Sequence, residues 1–179
     1  MQLRRKQQEN QGNGKQIRPA EPRDAKKIIE CMQSVMDEKI YFVSEYYLYT
    51  ERGEQERLRS PDDLTLVAEI DGTVVGVLTL QRGIYRKNRH TANLGIAIKN
   101  GYRHQGLGTD LITEAINWSR ENGIKKVNLE VFSSNTNAIM AYEKIGFEHE
   151  GVRRSQFIVD GKYVDDVFMT YWVDQSIRK

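Results

Sequence analysis

The 179-residue sequence is poor in the residues that bind metals or form disulfides, with one cysteine and three histidines. The single thiol, Cys31, excludes a disulfide within the chain and a cysteine-based zinc cluster, and it favours a reducing, cytoplasmic location. The histidines are scattered at His90, His104 and His149, which argues against a histidine-based metal site. We therefore predict a cytoplasmic protein without a bound metal.

Long apolar runs and a strong excess of one charge are also missing. No apolar run approaches the roughly 18–20 residues that a membrane-spanning helix requires, and the polar first residues lack the apolar stretch of a secretory signal. The net charge is +2, of which residues 1–16 carry +3 and the remaining residues −1. The composition therefore predicts neither nucleic acid nor a membrane as a partner.

Hydrophobic residues make up 39% of the chain, which is enough to build the core of one domain of this length. Residues 1–16 are rich in Gln, Asn and Gly and carry a basic charge, so we predict a disordered basic tail there. The single folded domain is expected to cover residues 17–175.

The spacing of apolar residues predicts the element order β-α-α-β-β-β-α-β-α-β-β. The expected strands span residues 17–19, 64–70, 73–80, 94–98, 127–132, 155–159 and 163–172. Four helices are expected. The first starts after a capping Asp24, and the others cover residues 51–59, 107 to near 123, and 135–145. Asp-Gly pairs at 71–72 and 160–161 predict tight hairpin turns, because such turns need positive φ. The order predicts an α+β fold with one central, mostly antiparallel sheet and helices on both faces.

Two glycines separated by one residue follow the predicted strand 94–98 and open the next helix, in the segment Arg103-His104-Gln105-Gly106-Leu107-Gly108-Thr109. Glycines let backbone amides approach a ligand, and a helix N-terminus adds partial positive charge, so this segment can cradle a phosphate. Arg103 could add a charge-assisted contact to that phosphate. The alternative is a glycine-rich turn that binds no ligand. The spacing matches neither a P-loop nor a dinucleotide fingerprint.

A second segment reads Ser134-Asn135-x-x-Ala138-Ile139-x-x-Tyr142-Glu143-Lys144-x-Gly146-Phe147 and follows another predicted strand. Together, the two motifs and the order of elements resemble the GNAT superfamily of acetyl-CoA-dependent N-acetyltransferases, over roughly nine-tenths of the chain. The resemblance implies a GNAT-like fold, with a central sheet of about seven strands and about four flanking helices.

The resemblance also implies a binding site for acetyl-CoA. In this family the pantetheine arm pairs, like an added strand, with the backbone that corresponds to Ile96-Ala97-Ile98. The pyrophosphate is expected on the backbone amides of Arg103, His104, Gln105, Gly106, Leu107, Gly108 and Thr109. Asn135 would bind the pantetheine arm, and its alternative role is to cap the following helix.

Two side chains take catalytic roles by the same resemblance. Tyr142 would protonate the departing thiolate, and the alternative is an aromatic that only packs in the core. Glu130 would take a proton from the attacking amine, since strand alternation turns it away from the aliphatic side; its alternative is a solvated glutamate. The preceding strand contains no acid, and Glu69 is the reserve base.

The expected reaction is transfer of an acetyl group from acetyl-CoA to a primary amine of a small molecule. The stretch from Gly151 to Asp166 resembles members of the family that acetylate free amino acids. The alternatives are a protein N-terminal acetyltransferase of the ribosomal-protein-alanine type and a non-catalytic acetyl-CoA-binding module. A homodimer is plausible for the family.

The sequence favours structural rather than functional roles for three further features and leaves a fourth, the tyrosines, undecided. Asp165 and Asp166 could bind a substrate ammonium, although a solvated hairpin pair is favoured. The basic run 82–89 is expected to be a solvated loop rather than a phosphate contact, and Cys31 to be buried rather than nucleophilic. The tyrosines within residues 40–49 could line either a closed pocket or an open peptide groove.

Overall fold

Residues 14–178 are described by a computed structural model, in which seven strands and four helices follow one another in the predicted order. In chain order these elements are β1 (Lys15–Pro19), α1 (Ala25–Met36), α2 (Glu51–Arg57), β2 (Leu64–Ile70), β3 (Thr73–Arg82), β4 (Thr91–Ile98), α3 (Leu107–Glu121), β5 (Lys126–Phe132), α4 (Thr136–Ile145), β6 (Glu148–Val159) and β7 (Lys162–Trp172). None of the helices in the described residues is long and apolar enough to cross a membrane.

Within residues 14–178 the strands form one sheet in the order β1-β2-β3-β4-β5-β7-β6, in which the β4–β5 pair is parallel and the other pairs are antiparallel. The β2–β3 turn places Asp71 at φ 48° and Gly72 at φ 80°, and the β6–β7 turn places Asp160 and Gly161 at 49° and 73°. Two successive positive φ angles are what a tight hairpin turn requires. The predicted α+β fold and both hairpins are confirmed.

Helices cover both faces of the sheet and enclose a core on each. On one face, Leu111, Ile112 and Ala115 of α3 pack with buried residues of the central strands, including Leu129 and Met169. On the other face, α1 buries Ile28 and Cys31 against Val67, Val74 and Val77 of β2 and β3. Cys31 is fully buried, as predicted, and burial raises the pKa of its thiol to about 11.

Several predicted boundaries are wrong. β3 continues to Arg82 rather than ending at 80, and β4 begins at Thr91 rather than at 94. β1 begins at Lys15, inside the segment 1–16 that was predicted to be a disordered tail; residues 1–13 of that segment lie outside the described part of the chain. β6 begins at Glu148, seven residues before the predicted start at 155, and most of its residues are exposed. An edge strand with one neighbour needs no alternation of apolar residues, so the sequence of β6 carries little strand signal.

Asp24 occupies the N-cap position of α1, but its side chain does not cap the helix. The carboxylate instead accepts hydrogen bonds from Arg18 at 2.6 and 2.9 Å and from the backbone N–H of Glu21 at 2.8 Å. Arg18 also donates to Glu69 on β2 at 2.7 Å. The guanidinium of Arg18 holds the pKa of Asp24 below its usual value. Instead of capping α1, Asp24 takes part in a hydrogen-bond network that links β1, β2 and the start of α1.

We expect Leu111→Ala to lower the free energy of unfolding by about 2–5 kcal/mol, because this fully buried side chain of α3 would leave a cavity against the sheet. Urea denaturation measures the change. Leu48→Ala is the matched control, since this leucine is 84% exposed and its loss should cost less than about 0.5 kcal/mol. Equal effects of the two substitutions would contradict the assigned core.

Candidate active site

The two central strands are hydrogen-bonded to each other over only a short stretch. Residues 91–93 of β4 pair in parallel with residues 126–128 of β5, and the pairing then stops. Beyond it β4 stays paired with β3 as far as Ile98, whereas β5 stays paired with β7 as far as Phe132. The two strands therefore diverge. Within the described residues, the backbone of Ile96-Ala97-Ile98 has no strand partner on its β5 side.

The divergence opens a cleft with a volume of about 390 Å³. It is lined by the second half of β4, the loop before α3, the end of β5 and the inner side of α4. Tyr41, Phe42 and Val43, which lie between α1 and α2, border it on one side, and Phe157 of β6 borders it on the other. The cleft thus reaches from the start of α3 to the hairpin of the last two strands.

The loop between β4 and α3 presents a helix N-terminus to this cleft. Gly106 is the N-cap residue of α3, and its φ of 80° is one that residues with a Cβ rarely adopt. A glycine has no side chain to accept hydrogen bonds from the first-turn amides, which are therefore uncapped. Gly106, Leu107 and Gly108 line the cleft, so the partial positive charge of the helix end faces it. A Cβ on Gly108 would lie 3.4 Å from Cδ1 of Ile98, which is about van der Waals contact, so α3 packs closely on β4 here. This end of the cleft can bind an anion.

Arg103 is held in place by hydrogen bonds and an ion pair within the protein. Its Nε donates to the carbonyl oxygen of Ile98 at 2.8 Å, and its Nη1 donates to Oε2 of Glu38 at 2.9 Å. Nη2 pairs with the other carboxylate oxygen, and the guanidinium lies 4.7 Å from the ring centre of Tyr41. Arg103 also lines the cleft, and its predicted contact with a phosphate stays a prediction. Arg103 ties the loop to the end of α1, and its charge is balanced by Glu38.

The helix α4 brings Asn135 and Tyr142 to the other wall of the cleft. The side-chain oxygen of Asn135 accepts a hydrogen bond from the N–H of Ala138 at 3.3 Å, so Asn135 caps the helix while facing the cleft. Tyr142 packs on Phe147, with ring centres 5.8 Å apart. Burial raises the pKa of Tyr142 to about 12, which keeps its hydroxyl protonated at neutral pH.

Glu130 stands where the cleft meets a second cavity. The neighbouring residues Val127, Leu129 and Val131 are buried in the core, whereas Glu130 is exposed, as strand alternation predicts. It lines both the cleft and an adjoining cavity of about 390 Å³ that Asn93, Asn128 and Glu150 also line. Its carboxylate is therefore open to a molecule that approaches the point at which β4 and β5 separate.

Asp166 differs from the solvated hairpin residue that the sequence predicts. It is 2% exposed rather than solvated, and it lines the cleft. Burial raises the pKa of its carboxyl, and the charge of Arg153 partly opposes that rise. The adjacent Asp165 has a structural role, since its carboxylate accepts the N–H of Ser155 at 2.7 Å in the β6 bulge. The burial of Asp166 follows from the register of β7, which only the pairing with β5 establishes.

The family model described as "Acetyltransferase (GNAT) family" matches residues 28–147. The chain belongs to the GNAT acetyltransferase family. It is 38% identical over 120 residues to the L-amino acid N-acetyltransferase AaaT of Escherichia coli K12, which covers 64% of this chain and 72% of that protein. It is 37% identical over 68 residues to the E. coli K12 ribosomal protein bS18-alanine N-acetyltransferase, which covers 37% of this chain and 46% of that protein.

A solved GNAT structure gives the same fold over almost the whole chain. It is a phosphinothricin acetyltransferase from Sinorhizobium meliloti in complex with acetyl-CoA, and it matches with a TM-score of 0.82. The match covers 93% of this chain and 92% of that one at 18% sequence identity. The predicted family, its fold and the assignment as an N-acetyltransferase are therefore confirmed.

Most of the predicted site residues of this GNAT domain meet in the one cleft. Those that line it are Ile96, Ala97, Ile98, Arg103, His104, Gly106, Leu107, Gly108, Thr109, Glu130, Asn135 and Tyr142. Gln105 is absent from the lining, because its side chain turns back and donates to the carbonyl oxygen of Gly101 at 3.1 Å. Among residues 14–178, no group of His, Cys, Asp and Glu side chains is arranged to hold a metal ion.

The remaining predicted candidates lie elsewhere. Glu69, the reserve base, is paired with Arg18 and does not line the GNAT cleft. The basic run 82–89 also lies outside it, and at the end of the run Arg89 pairs with Asp62 at 2.5 Å. The tyrosines divide: Tyr41 borders the cleft, whereas the hydroxyl of Tyr47 donates to buried Glu54 at 2.9 Å.

We expect Arg103→Gln and Glu38→Gln each to lower the free energy of unfolding by about 1 kcal/mol, because each removes the same partly buried ion pair. The double variant should be hardly less stable than either single variant. Chemical denaturation of the four proteins gives the coupling energy, and a titration with acetyl-CoA accompanies it. A large loss of acetyl-CoA affinity in Arg103→Gln alone would instead support the phosphate contact that the sequence predicted.

Proposed function

We propose that this GNAT enzyme transfers an acetyl group from acetyl-CoA to the primary amine of a small molecule, with a free amino acid as the leading acceptor. The observation that carries the proposal is the divergence of β4 from β5, which leaves strand backbone open between a helix N-terminus and the side chains of Glu130 and Tyr142. The similarity to an L-amino acid N-acetyltransferase supports the choice of acceptor.

Acetyl-CoA would lie along the open side of β4. The backbone of Ile96-Ala97-Ile98 has no strand partner on its β5 side, so the pantetheine arm could join the sheet there as a short strand. The amides at the start of α3 would hold the pyrophosphate, where the helix dipole favours negative charge. Asn135 would contact the pantetheine arm from α4 in addition to capping that helix. A solved structure of the same fold holds acetyl-CoA.

The reaction needs one group to take a proton from the amine and another to give a proton to the leaving sulfur. Bound acetyl-CoA supplies the acetyl group as a thioester. Glu130 would accept a proton from the ammonium, so that the free amine can form the new C–N bond. A backbone N–H near Ile96 would stabilise the negative charge that develops on the carbonyl oxygen. As the C–S bond breaks, the protonated hydroxyl of Tyr142 would donate to sulfur.

The protons balance in this scheme. Two protons leave the substrate ammonium as it becomes an amide. One passes through Glu130 to solvent, and the other replaces the proton that Tyr142 gives to the thiolate. β4 offers no competing base, because its residues 91–98 contain no carboxylate. This supports Glu130 as the base.

A protein N-terminal acetyltransferase is the second candidate function. The similarity to a ribosomal protein bS18-alanine N-acetyltransferase supports it. So does the segment between α1 and α2, in which Val43, Tyr46 and Leu48 are largely exposed and could contact a peptide beyond the cleft. The cytoplasmic location and the homodimer remain predictions in either case.

We expect acetyl-CoA to raise the melting temperature of the protein, since a ligand that binds only the native state stabilises it. We further expect free thiol to be released from acetyl-CoA in the presence of L-amino acids. The assay compares L-amino acids, polyamines, aminoglycosides and short peptides at the same amine concentration. Release with peptides alone would favour the second candidate, and an unchanged melting temperature would contradict the proposed cofactor.

Replacing Tyr142 by Phe should lower kcat roughly 100-fold while leaving acetyl-CoA affinity unchanged, because the change removes the proton donor but keeps the ring. Tyr171→Phe is the control, since Tyr171 packs on the same Phe147 but lies outside the cleft. The pKa of about 12 places the loss of this donor far into the alkaline range, so the kcat of the unmodified enzyme should hold to about pH 11. Equal turnover of the two variants would contradict the role of Tyr142.

Glu130→Gln should lower kcat at neutral pH by roughly 100-fold, with the deficit shrinking as pH rises. At high pH more of the amine is already unprotonated, so a base is needed less. Glu121→Gln, on the exposed end of α3, is the control. The pH–rate profiles of the three proteins give the answer, and an unchanged profile for Glu130→Gln would show that another group takes the proton.

A further inference from the structure

The carboxylate of Asp166 is almost completely withdrawn from solvent, yet it has few polar partners. Its side chain is 3% exposed, and it lines the cleft. Among the described residues, the one polar contact recorded for this carboxylate is with Nη1 of Arg153, at 3.4 Å. A buried carboxylate normally accepts several hydrogen bonds, because each missing one costs solvation energy. Asp166 thus has acceptor capacity directed at whatever occupies the cleft.

The guanidinium of Arg153 is held in place, but within the described residues most of its N–H donors are free to bind a ligand. The side chain is 58% exposed, and its Cζ lies 4.5 Å from the ring centre of Phe168. Stacking on an aromatic ring fixes the plane of a guanidinium without using its N–H donors. One of its nitrogens contacts Asp166, and the others remain for an anion such as a carboxylate, which arginine binds through two parallel hydrogen bonds.

The strand register puts these groups on the same face of the sheet as the proposed base. Glu130 of β5 is opposite Phe168 of β7, and Asp166 is opposite both Phe132 of β5 and Arg153 of β6. Directly opposed residues in a sheet project to the same face, and diagonal neighbours are within reach of each other. An acid, a second acid and an arginine therefore follow one another from the divergence of β4 and β5 towards the outer edge strand.

We propose that Asp166 and Arg153 form the acceptor subsite and select a free α-amino acid. The carboxylate of Asp166 holds the α-ammonium group next to Glu130, and the guanidinium of Arg153 binds the α-carboxylate. The proposal rests on the proposed function, in which a free amino acid is the acceptor, and it names the residues that select this acceptor. Asp166 and Arg153 lie side by side, as do the two charged groups of an α-amino acid. A peptide N-terminus has the ammonium but lacks the adjacent carboxylate, so Arg153 separates the two classes of acceptor.

The test compares the fastest L-amino acid acceptor with its α-carboxamide, which keeps the amine and the side chain but lacks the carboxylate. Arg153→Gln should raise KM for the amino acid roughly 10- to 100-fold, the effect of losing a charged hydrogen-bonded pair. Its kcat should change little, since the contact forms before and during reaction alike. The carboxamide should react with Arg153→Gln as well as it does with the unmodified enzyme.

Two further variants complete the experiment. Arg154→Gln removes the adjacent exposed arginine and should leave the kinetics with both acceptors unchanged. Asp166→Asn keeps the shape of the side chain and should raise KM for amino acid and carboxamide alike, because both carry the amine. The melting temperature with and without acetyl-CoA verifies that each variant is folded and binds the cofactor.

The outcomes separate this proposal from the one on which it rests. In Arg153→Gln, an equal loss on both acceptors, or no loss at all, overturns the subsite while amino acid acetylation stands. A preference of the unmodified enzyme for peptides or for the carboxamide overturns the selection of free amino acids. If acetyl-CoA binds but no amino acid is acetylated, the proposed acceptor fails, and the subsite fails with it. A loss confined to the amino acid supports the proposal.

Discussion

The parallel pairing of β4 with β5 ends after three residue pairs, and the candidate site depends on that ending. Each strand is held on its other side by a long antiparallel partner, β3 in one case and β7 in the other. Beyond the divergence, each strand is therefore held within its own half of the sheet. The open backbone costs hydrogen bonds in the free protein, and a ligand that adds a short strand would recover them.

Charge is distributed along the resulting cleft in a way that suits two different ligands. At one end, the start of α3 offers backbone amides and a positive dipole without a side-chain cap. At the other, Glu130 and Asp166 add two carboxylates, and Arg153 of the edge strand β6 contacts Asp166 from outside the cleft lining. An anionic cofactor and a cationic amine would therefore be drawn to opposite ends, with the reacting atoms between them and near Tyr142.

The segment between α1 and α2 is linked to the cleft by Arg103. Arg103 lies in the loop that ends on the α3 N-terminus, and it pairs with Glu38 just after α1. Tyr41 stacks against its guanidinium and borders the cleft. The position of this side of the cleft is thereby coupled to the loop that would hold the pyrophosphate. This role could not be predicted from the motif alone, since the pairing joins residues 65 positions apart.

The sequence by itself determined the elements, the hairpin turns and the family, because these depend on local periodicity, on Asp-Gly turns and on two motifs with fixed spacing. It also determined which way Glu130 points, because alternation along a strand is a local property. It missed the early start of β6, whose exposed residues show no periodicity, and it placed Asp166 in solvent. Only the tertiary structure decided those points, as well as the partner of Arg103. Burial of an acid and pairing of an arginine depend on the strand register and on contacts across the sheet, which no local pattern encodes.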